Sequence, residues 1–445
     1  MKNVYGWAVT VALGGFLFGF DTAVISGVND LLQAQWNLSD LAKGQMVGSA
    51  LYGTVIGALV GGIPADRYGR RASLLGIAAL FLLSAVGSAA AQGVWSLSVA
   101  RFIGGLGVGA SSVVAPLYIT EVAPARLRGR LVAAFQANLV IGILVAYFSN
   151  YVIDAAGLGE HWRLMLGVEI LPALLFLVLL GRVPRSPRWL LTKAGRPEEA
   201  RTVLQRIYGD GAGDIKAEQE FTAIRASDTT SKTVAFGTFF SRKYRRPITY
   251  AFLFALFNQI SGINAVIYYA PTIFEDAGLG RESALLSSVG IGVVNVVFTL
   301  LGMYLIDRSG RKKLMYIGSV GYIVSLLGVA YAFGSGNTAG AIVPGWLFLF
   351  IASHAIGQGA VIWVFLSEIF GNEVRSLGAS FGSGVHWVGA ALIGAYFPWA
   401  TETFATETIF GFFAACMVGQ LVWVHFVMPE TRGVELEELQ GRLVG

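Results

Sequence analysis

The sequence predicts an all-α polytopic membrane protein with twelve transmembrane helices in two six-helix bundles, joined by a cytoplasmic helical linker. Three observations lead to this prediction. Of the 445 residues, 55% are hydrophobic and only 13% are charged, whereas a soluble globular protein carries about 25% charged residues. Uncharged apolar runs long enough to cross a bilayer recur along the whole chain. The second half also repeats charged motifs of the first half, 241 or 247 residues later.

Twelve apolar runs of about 20 residues each are candidate spans. In the first half they lie near 6–28, 44–64, 72–91, 94–119, 131–153 and 163–183. In the second half they lie near 247–272, 285–306, 313–334, 343–367, 376–399 and 408–428. The first run is 23 residues long and only Lys2 precedes it, so we interpret it as a retained helix rather than a signal peptide.

Basic residues concentrate in alternate short loops. They are Arg67, Arg70 and Arg71 after span 2, Arg126, Arg128 and Arg130 after span 4, and Arg308, Arg311, Lys312 and Lys313 after span 8. The opposite loops carry almost only Lys43 and Arg281. By the positive-inside rule, both termini and the basic loops are cytoplasmic. The short termini favour a multi-pass protein of the bacterial inner membrane, although a formal glycosylation sequon at Asn37 leaves a eukaryotic host open.

The predicted domains are an N-terminal bundle at 1–183, a linker at 184–246, a C-terminal bundle at 247–428 and a cytoplasmic tail at 429–445. The linker carries 13 Lys/Arg and 7 Asp/Glu, a net charge of +6. Its segments "RPEEARTVLQRIYG" and "DIKAEQEFTAIRA" predict two short helices, the first beginning at Pro197. Acidic residues interleave the basic ones, which argues against a nucleic-acid partner.

The two halves share charged motifs. The segment "GGIPADRYGRRASLL" (61–75) is repeated as "GMYLIDRSGRKKLMY" (302–316), so Asp66 corresponds to Asp307. The segment "PLYITEVAPARLRG" is repeated as "VFLSEIFGNEVRSLG", so Glu121 corresponds to Glu368 and Arg128 to Arg375. Two parallel six-helix repeats joined by a central linker are the architecture of major facilitator transporters.

The same motifs resemble those of the sugar porter family of the major facilitator superfamily over nearly the whole chain. The first half contains "DRYGRR", "RFIGGLGVG", "PLYITEVAPARLRG" and "PRSPRWL". The second half contains "NQISGINAVIYYAP", "DRSGRKK", "WVFLSEIFGNEVR" and "PETRG". The resemblance implies the major facilitator fold and transport of a sugar.

Three ionisable residues lie inside the first bundle at one predicted depth. Asp21, Arg101 and Glu169 are each about 7 residues from the outer ends of spans 1, 4 and 6, roughly 10 Å below the outer boundary by the helix rise. Intramembrane charges are costly and usually pair inside a bundle. One interpretation is a static ion pair that fixes helix packing. The one we favour is a proton switch in which Asp21 titrates, because arginine keeps its proton.

The resemblance supports the proton switch. In the family's bacterial sugar–proton symporters, the carboxylate at the position of Asp21 carries the proton, whereas the facilitative glucose transporters have an amide there. Arg101 and Glu169 match the family's partner residues, so the resemblance implies that they modulate this carboxylate.

A sugar needs amides for its hydroxyl groups and an aromatic ring for its C–H face. Span 7 offers three amides, and Ser261 and Gly262 between them allow a broken helix that brings the amides together. By resemblance, the sugar pocket is lined by Phe18, Gln136, Asn258, Gln259, Asn264, Asn295, Trp363, His386 and Trp387. Taken singly, a membrane Asn or Gln is as often a helix-packing residue.

Four positions depart from the family pattern. Asn258 stands where a glutamine is usual, His354 where the mammalian members have an aromatic residue, His386 where an amide often occurs, and Arg185 where glutamate is usual. The two histidines either reshape the sugar preference, add a second titrating group, or are satisfied by a helix backbone. We expect Arg185 to alter a cytoplasmic salt bridge.

The cytoplasmic charges form two corresponding sets that we expect to gate the transporter. Asp66 is predicted to pair with Arg67 and Arg70, and Glu121 with Arg128. The same set recurs as Asp307, Arg308, Arg311, Glu368 and Arg375. A charge network that forms in only one conformation biases the equilibrium between conformations.

We therefore predict a secondary active transporter that moves a hexose or pentose with a proton by alternating access. The alternatives are a facilitative uniporter of the same fold and a non-transporting sugar sensor. The single cysteine, Cys416, excludes disulfides and cysteine-based metal sites. We expect no enzymatic activity, no metal and no cofactor besides the coupling proton. The expected partners are a monosaccharide and the lipid bilayer, with the protein acting as a monomer.

Overall fold

The structure is a computed structural model that describes residues 2–157, 161–209, 212–228, 236–371 and 373–434. Parts of the predicted linker and most of the predicted tail at 429–445 lie outside the described residues. Within the described residues the regular structure is helical. This agrees with the all-α prediction.

The helices follow the twelve predicted apolar runs. The first six spans are Lys2–Val24, Asp40–Val60 with Gly62–Tyr68, Arg70–Ala89, Val94–Val122, Ala125–Ala155, and His161–Gly167 with Ile170–Leu180. The last six are Arg245–Gln259 with Ile263–Asp276, Arg281–Ser309, Arg311–Gly334, Ile342–His354 with Ala355–Gly359 and Ala360–Glu368, Arg375–Thr403, and Thr406–Phe426. Several helices run past the predicted ends because basic residues at the membrane boundary continue the helix.

Length and hydropathy support membrane crossing for most of these helices. In the described part of the chain, ten are long and apolar enough, and the pair Asp40–Val60 and Gly62–Tyr68, bent by 44°, makes an eleventh. The remaining span, Arg375–Thr403, has 29 residues. Its serine, histidine and threonine side chains make it less apolar, which suits a helix that faces polar groups inside the protein.

Three spans are interrupted near predicted site residues. Span 7 breaks between Gln259 and Ile263, where Gly262 has φ +86°, a conformation that favours glycine. The break predicted from Ser261 and Gly262 is therefore confirmed. Span 6 breaks beside Glu169, and span 10 widens into a π-helical turn at Ala355–Gly359. Such widened turns frequently mark functional sites.

The predicted linker contains the helices Pro187–Thr192, Pro197–Tyr208, Ala212–Asp228 and Phe236–Phe239, followed by a short 3₁₀ helix at Arg242–Tyr244. Both helices predicted from its sequence are present, and Pro197 occupies the first position of one of them, where a missing N–H costs nothing.

The chain forms two compact units. The first contains 1–21, 52–142 and 166–232, and the second contains 22–51, 143–165 and 233–445. The second unit has an aromatic core in which Phe254 stacks on Phe365 and Trp423 packs edge-on against Phe254. The predicted outer ends of spans 1, 2, 5 and 6 belong to this second unit.

Glycines bring spans 2 and 4 into backbone contact within the first unit. A methyl group added at Gly57 would meet the carbonyl oxygen of Leu106, and one added at Gly109 would meet that of Thr54. Small residues permit this close approach, which supplies much of the packing between membrane helices.

We predict that Gly57→Ala destabilises the protein because its new methyl group pushes spans 2 and 4 apart. Overpacking of this kind costs about 1–3 kcal/mol of unfolding free energy. The matched control is Gly76→Ala, because nothing lies within 4 Å of the methyl group it adds. Thermal unfolding in detergent measures both; an unchanged melting temperature for Gly57→Ala would contradict the packing account.

Candidate functional site

Asp21 and Arg101 form a buried ion pair between spans 1 and 4. Arg101 donates from one terminal nitrogen to Asp21 Oδ1 at 2.7 Å and from the other to the backbone carbonyl of Asp21 at 2.8 Å. Each residue is 1% exposed. The pair predicted from depth is therefore present, with one guanidinium clamping both the side chain and the backbone of Asp21.

Glu169 lies close to this pair without a hydrogen bond to it. It is buried at the break in span 6, and it is near enough to interact electrostatically with both Asp21 and Arg101. Among the described residues, Glu169 Oε1 and Arg101 Nε have no hydrogen-bond partner. The predicted acid–base–acid cluster thus consists of one bonded pair and one neighbouring acid.

This arrangement leaves two carboxyl groups competing for one cation. Breaking a buried pair leaves an uncompensated charge that costs several kcal/mol. A proton on the acid that loses Arg101 removes that charge. Which of the two carboxyl groups carries a proton therefore depends on which of them Arg101 bonds to.

The amides of span 7 form a second cluster at the helix break. Asn264 donates to Gln259 Oε1 at 2.6 Å, and the Gln259 amide nitrogen lies 2.9 Å from Asn258 Oδ1. Residues five apart on one regular helix point in different directions, so the break at Ser261–Gly262 is what permits this contact. A chain of amides presents both donors and acceptors, as sugar hydroxyls require.

Span 11 brings an imidazole and an indole to the same cluster. His386 Nδ1 lies 3.1 Å from the amide nitrogen of Gln259. The ring of Trp363, which is 38% exposed, lies 5.1 Å from the imidazole, and the ring of Trp387 lies 4.9 Å away. Six predicted pocket residues of the second unit therefore form one cluster: Asn258, Gln259, Asn264, Trp363, His386 and Trp387.

Three other predicted pocket residues lie elsewhere. Asn295 is bonded at 3.3 Å by Thr299 of its own helix. Phe18, which is buried, and Gln136, which is half-buried, belong to the first unit on spans 1 and 5.

His354 belongs to a buried polar network. The hydroxyl of Tyr322 bonds to His354 Nδ1 and donates to Gln358 Oε1 at 3.1 Å. Gln358 in turn bonds to Gln420, which donates to Ser319 Oγ at 2.8 Å. Spans 9, 10 and 12 are thereby joined through the widened turn of span 10. Neither Gln358 nor Gln420 was expected to bond there.

The charged motifs form one triad in each half. In the first triad, Arg70 bonds to Asp66 at 2.9 Å, to Glu121 at 2.9 Å and to the carbonyl of Ala65 at 3.0 Å.

In the second triad, Arg311 bonds to Asp307 at 3.4 Å, to Glu368 at 2.8 Å and to the carbonyl of Ile306 at 3.1 Å. The repeat in the sequence is thus a repeat in geometry.

The structure corrects the predicted partners of the glutamates. Glu121 bonds to Arg70 and not to Arg128, which is exposed. Glu368 bonds to Arg311 and not to Arg375. The turns after spans 2 and 8 bring Arg70 and Arg311 back towards these glutamates. Arg128 and Arg375 are closer to the glutamates in sequence but do not bond to them.

The first arginines of both motifs also differ from the prediction. Arg67 and Arg308 lie over the rings of Tyr68 and Tyr304, and neither forms an ion pair with the preceding aspartate among the described contacts.

Contacts at the predicted outer ends were not foreseen. Within the second unit, Arg281 at the start of span 8 bonds to Asp154 of span 5 at 2.8 Å and to the carbonyl of Gly27 at 3.0 Å. Thr272 of span 7 donates to Asp30 at 2.7 Å, and Lys43 pairs with Asp30 at 3.2 Å. The signal was present in the sequence, because Lys43 and Arg281 are nearly alone as basic residues in the predicted outer loops.

Glu430 was also missed, although its motif "PETRG" was recognised. Its carboxylate accepts from the backbone N–H groups of Arg311 and Lys312, each at 3.0 Å. The next residue, Thr431, donates to Glu368 at 2.6 Å. Glu430 therefore caps the amino end of span 9, where the helix dipole favours a negative charge.

Among the described residues, no group of three or more His, Cys, Asp or Glu side chains is placed to hold a metal ion.

We predict that Glu121→Gln destabilises the protein more than Glu368→Gln. Glu121 is 5% exposed, whereas Glu368 is 25% exposed, and an ion pair is stronger where less water screens it. The control is Glu218→Gln, which removes an exposed ion pair with Arg201. Thermal unfolding in detergent measures all three; equal losses for the two triad variants would contradict this ranking.

Comparison with known proteins identifies the family. Residues 7–442 match the family described as sugar (and other) transporter. The chain is 36% identical to the arabinose-proton symporter of Bacillus subtilis, over 96% of this chain and 92% of that protein. It is 37% identical to the glucose transporter GlcP of Staphylococcus epidermidis, over 99% of this chain and 97% of that protein.

A solved structure agrees with this assignment. The inward-open conformation of the xylose transporter XylE from E. coli superimposes with a TM-score of 0.87 at 33% identity, covering 99% of this chain and all of that one. This multi-pass membrane protein, with the major facilitator fold, belongs to the family of sugar transporters.

Proposed function

We propose that this protein carries a monosaccharide, a hexose or a pentose, across a bacterial inner membrane together with a proton. The observation that supports this most directly is the Asp21–Arg101 pair, buried within the first unit with Glu169 beside it. An uncoupled carrier has no need of a titratable acid at that depth, where ionisable groups are costly. One related protein is named an arabinose-proton symporter, and the related carriers of glucose and xylose support the substrate class.

In this proposal Asp21 carries the proton. While Asp21 bonds to Arg101, its carboxylate is charged and compensated. When span 1 or span 4 moves in response to sugar, Arg101 turns towards Glu169, which gives up its own proton and becomes a carboxylate. Asp21 then takes a proton instead of remaining as a lone buried charge. Return of Arg101 displaces that proton. Glu169 thus modulates Asp21 by offering Arg101 a second partner.

Sugar binding is assigned to the amide cluster of span 7. Gln259 lies at its centre, bonded to Asn258, Asn264 and His386. We propose that sugar hydroxyls replace some of these bonds while Trp363 packs against the C–H face of the ring. Phe18 and Gln136 on spans 1 and 5, and Asn295 on span 8, stay predicted sugar-binding residues.

Alternating access requires contacts that hold in one state and break in the other. We propose that the outer contacts of Arg281 with Asp154 and of Thr272 with Asp30 are broken when the carrier opens outward. The two arginine triads are proposed to stabilise the predicted cytoplasmic ends. A ligand shifts such an equilibrium only through its difference in affinity for the two states.

The test is uptake of labelled arabinose, xylose, glucose and galactose into proteoliposomes, with and without an imposed proton gradient. We predict that the wild type accumulates one of these sugars against its concentration. A single coupled charge moving across 100 mV corresponds to about 2.3 kcal/mol, or roughly fifty-fold accumulation. Asp21→Asn should abolish gradient-driven accumulation while sugar exchange across the membrane persists.

Asp214→Asn, the same change at an exposed linker residue, is the matched control and should accumulate sugar normally. A wild type that only equilibrates sugar and ignores the gradient would contradict symport and favour a uniporter.

A further inference from the structure

A basic cavity lies in the first unit at the predicted cytoplasmic ends of spans 2 and 3. Its volume is about 500 Å³. Gly69, Ala72 and Leu75 from the turn and from span 3, and Trp189 from the linker, form part of the wall. Its charged lining residues are Arg67, Arg70, Arg71, Arg185, Lys193 and Arg196. No acidic residue lies in this lining, so the cavity attracts anions.

Nearby acids neutralise only part of this charge. Glu199 pairs with Arg185 at 3.0 Å and with Arg196 at 3.4 Å. Arg70 is held in its triad, and Arg71 donates to the carbonyl of Gly181 at 2.7 Å. Lys193 is exposed. Arg67 and Lys193 have no carboxylate partner among the described contacts. Their charges can therefore attract an external anion, as Arg and Lys commonly do with phosphate.

The internal repeat shows which group is missing from this cavity. Arg185 occupies the position of Glu430, 245 residues earlier, and each is followed by a hydroxyl residue beside the triad glutamate. Thr431 bonds to Glu368, and Ser186 lies close to the carboxyl group of Glu121. In the second half, the Glu430 carboxylate caps the N–H groups of Arg311 and Lys312.

In the first half that carboxylate is replaced by an arginine. Among the described residues, no carboxylate accepts from the N–H groups of Arg70 and Arg71, which correspond to Arg311 and Lys312. Gly69 and Gly310 turn the chain identically, with φ +94° and +86°. The first half therefore has the same glycine turn and the same helix start as the second half, but it lacks the carboxylate that caps that helix.

We propose that this cavity binds the phosphate group of an external ligand, which takes the place of the missing carboxylate. The ligand is either the headgroup of an anionic phospholipid or a soluble phosphate monoester. A lipid headgroup could reach the cavity along an apolar helix surface, because Tyr68 of the lining is 60% exposed and Ile63 of the same helix is 65% exposed. The site does not depend on the mechanism of sugar transport.

The test is the shift in melting temperature of the full chain, purified in detergent. Phosphatidylglycerol, with phosphatidylcholine as its reference, tests the lipid source. Inorganic phosphate and glucose 6-phosphate test the soluble source. We expect saturable stabilisation by at least one of the two sources in the wild type.

Arg185→Glu is the decisive variant, because it restores the carboxylate found in the other half. It should weaken anion binding at least about tenfold, since each basic residue contributes substantially to attraction of an anionic headgroup. It should also raise the melting temperature in anion-free detergent by about 1–2 °C, as a restored helix cap does. Arg182→Glu, the same charge change at an exposed residue outside the cavity, is the matched control.

Lys193→Gln, a change at an exposed rim residue, gives a second measurement if Arg185→Glu fails to fold. It should weaken anion binding several-fold while stability without anion stays unchanged. Stabilisation by phosphatidylglycerol alone would identify a lipid, and stabilisation by the soluble phosphates would identify a metabolite. The proposal is overturned if no probe stabilises the wild type, if Arg185→Glu and Lys193→Gln bind as the wild type does, or if Arg182→Glu loses binding equally.

Discussion

A buried acid needs a buried base, and this requirement constrains the first six helices. Arg101 bonds to both the side chain and the backbone of Asp21, so spans 1 and 4 can separate only if the acid is protonated or the arginine finds another acid. Glu169 lies at a break in span 6 and offers that alternative. The proposed coupling follows from this constraint, because a movement that transfers Arg101 from Asp21 to Glu169 changes which carboxyl group carries a proton.

The internal repeat gives the two halves matching arginine triads, but the residue beside each triad differs in charge. Arg70 and Arg311 each bond to an aspartate, a glutamate and a backbone carbonyl in matching geometry. The halves differ beside these triads, where Glu430 caps the start of a helix and the corresponding Arg185 does not. An external phosphate in the first half would restore the symmetry of charge. The carrier's stability would then depend on its lipid or metabolite surroundings.

Local sequence signals predicted the features that depend on local chemistry. The apolar runs predicted the spans, and the Ser261–Gly262 pair predicted the break in span 7. Depth along the helices predicted that Asp21 lies beside Arg101. Features that depend on tertiary packing were not predictable. The choice of Arg70 over Arg128 as partner of Glu121 depends on how a turn folds back. The network from His354 to Gln420 depends on a widened turn in span 10, and the bonds of Arg281 join helices distant in sequence.

The central claim is that Asp21 carries the coupled proton. Charge movement on sugar addition tests it most directly, measured as a transient current from proteoliposomes adsorbed on a solid-supported membrane, with no imposed gradient. The account predicts a sugar-dependent current of positive charge entering with the sugar in the wild type, and its loss in Asp21→Asn although that variant still binds sugar. A current of equal size in Asp21→Asn, or sugar transport by the wild type with no charge movement, would contradict the claim.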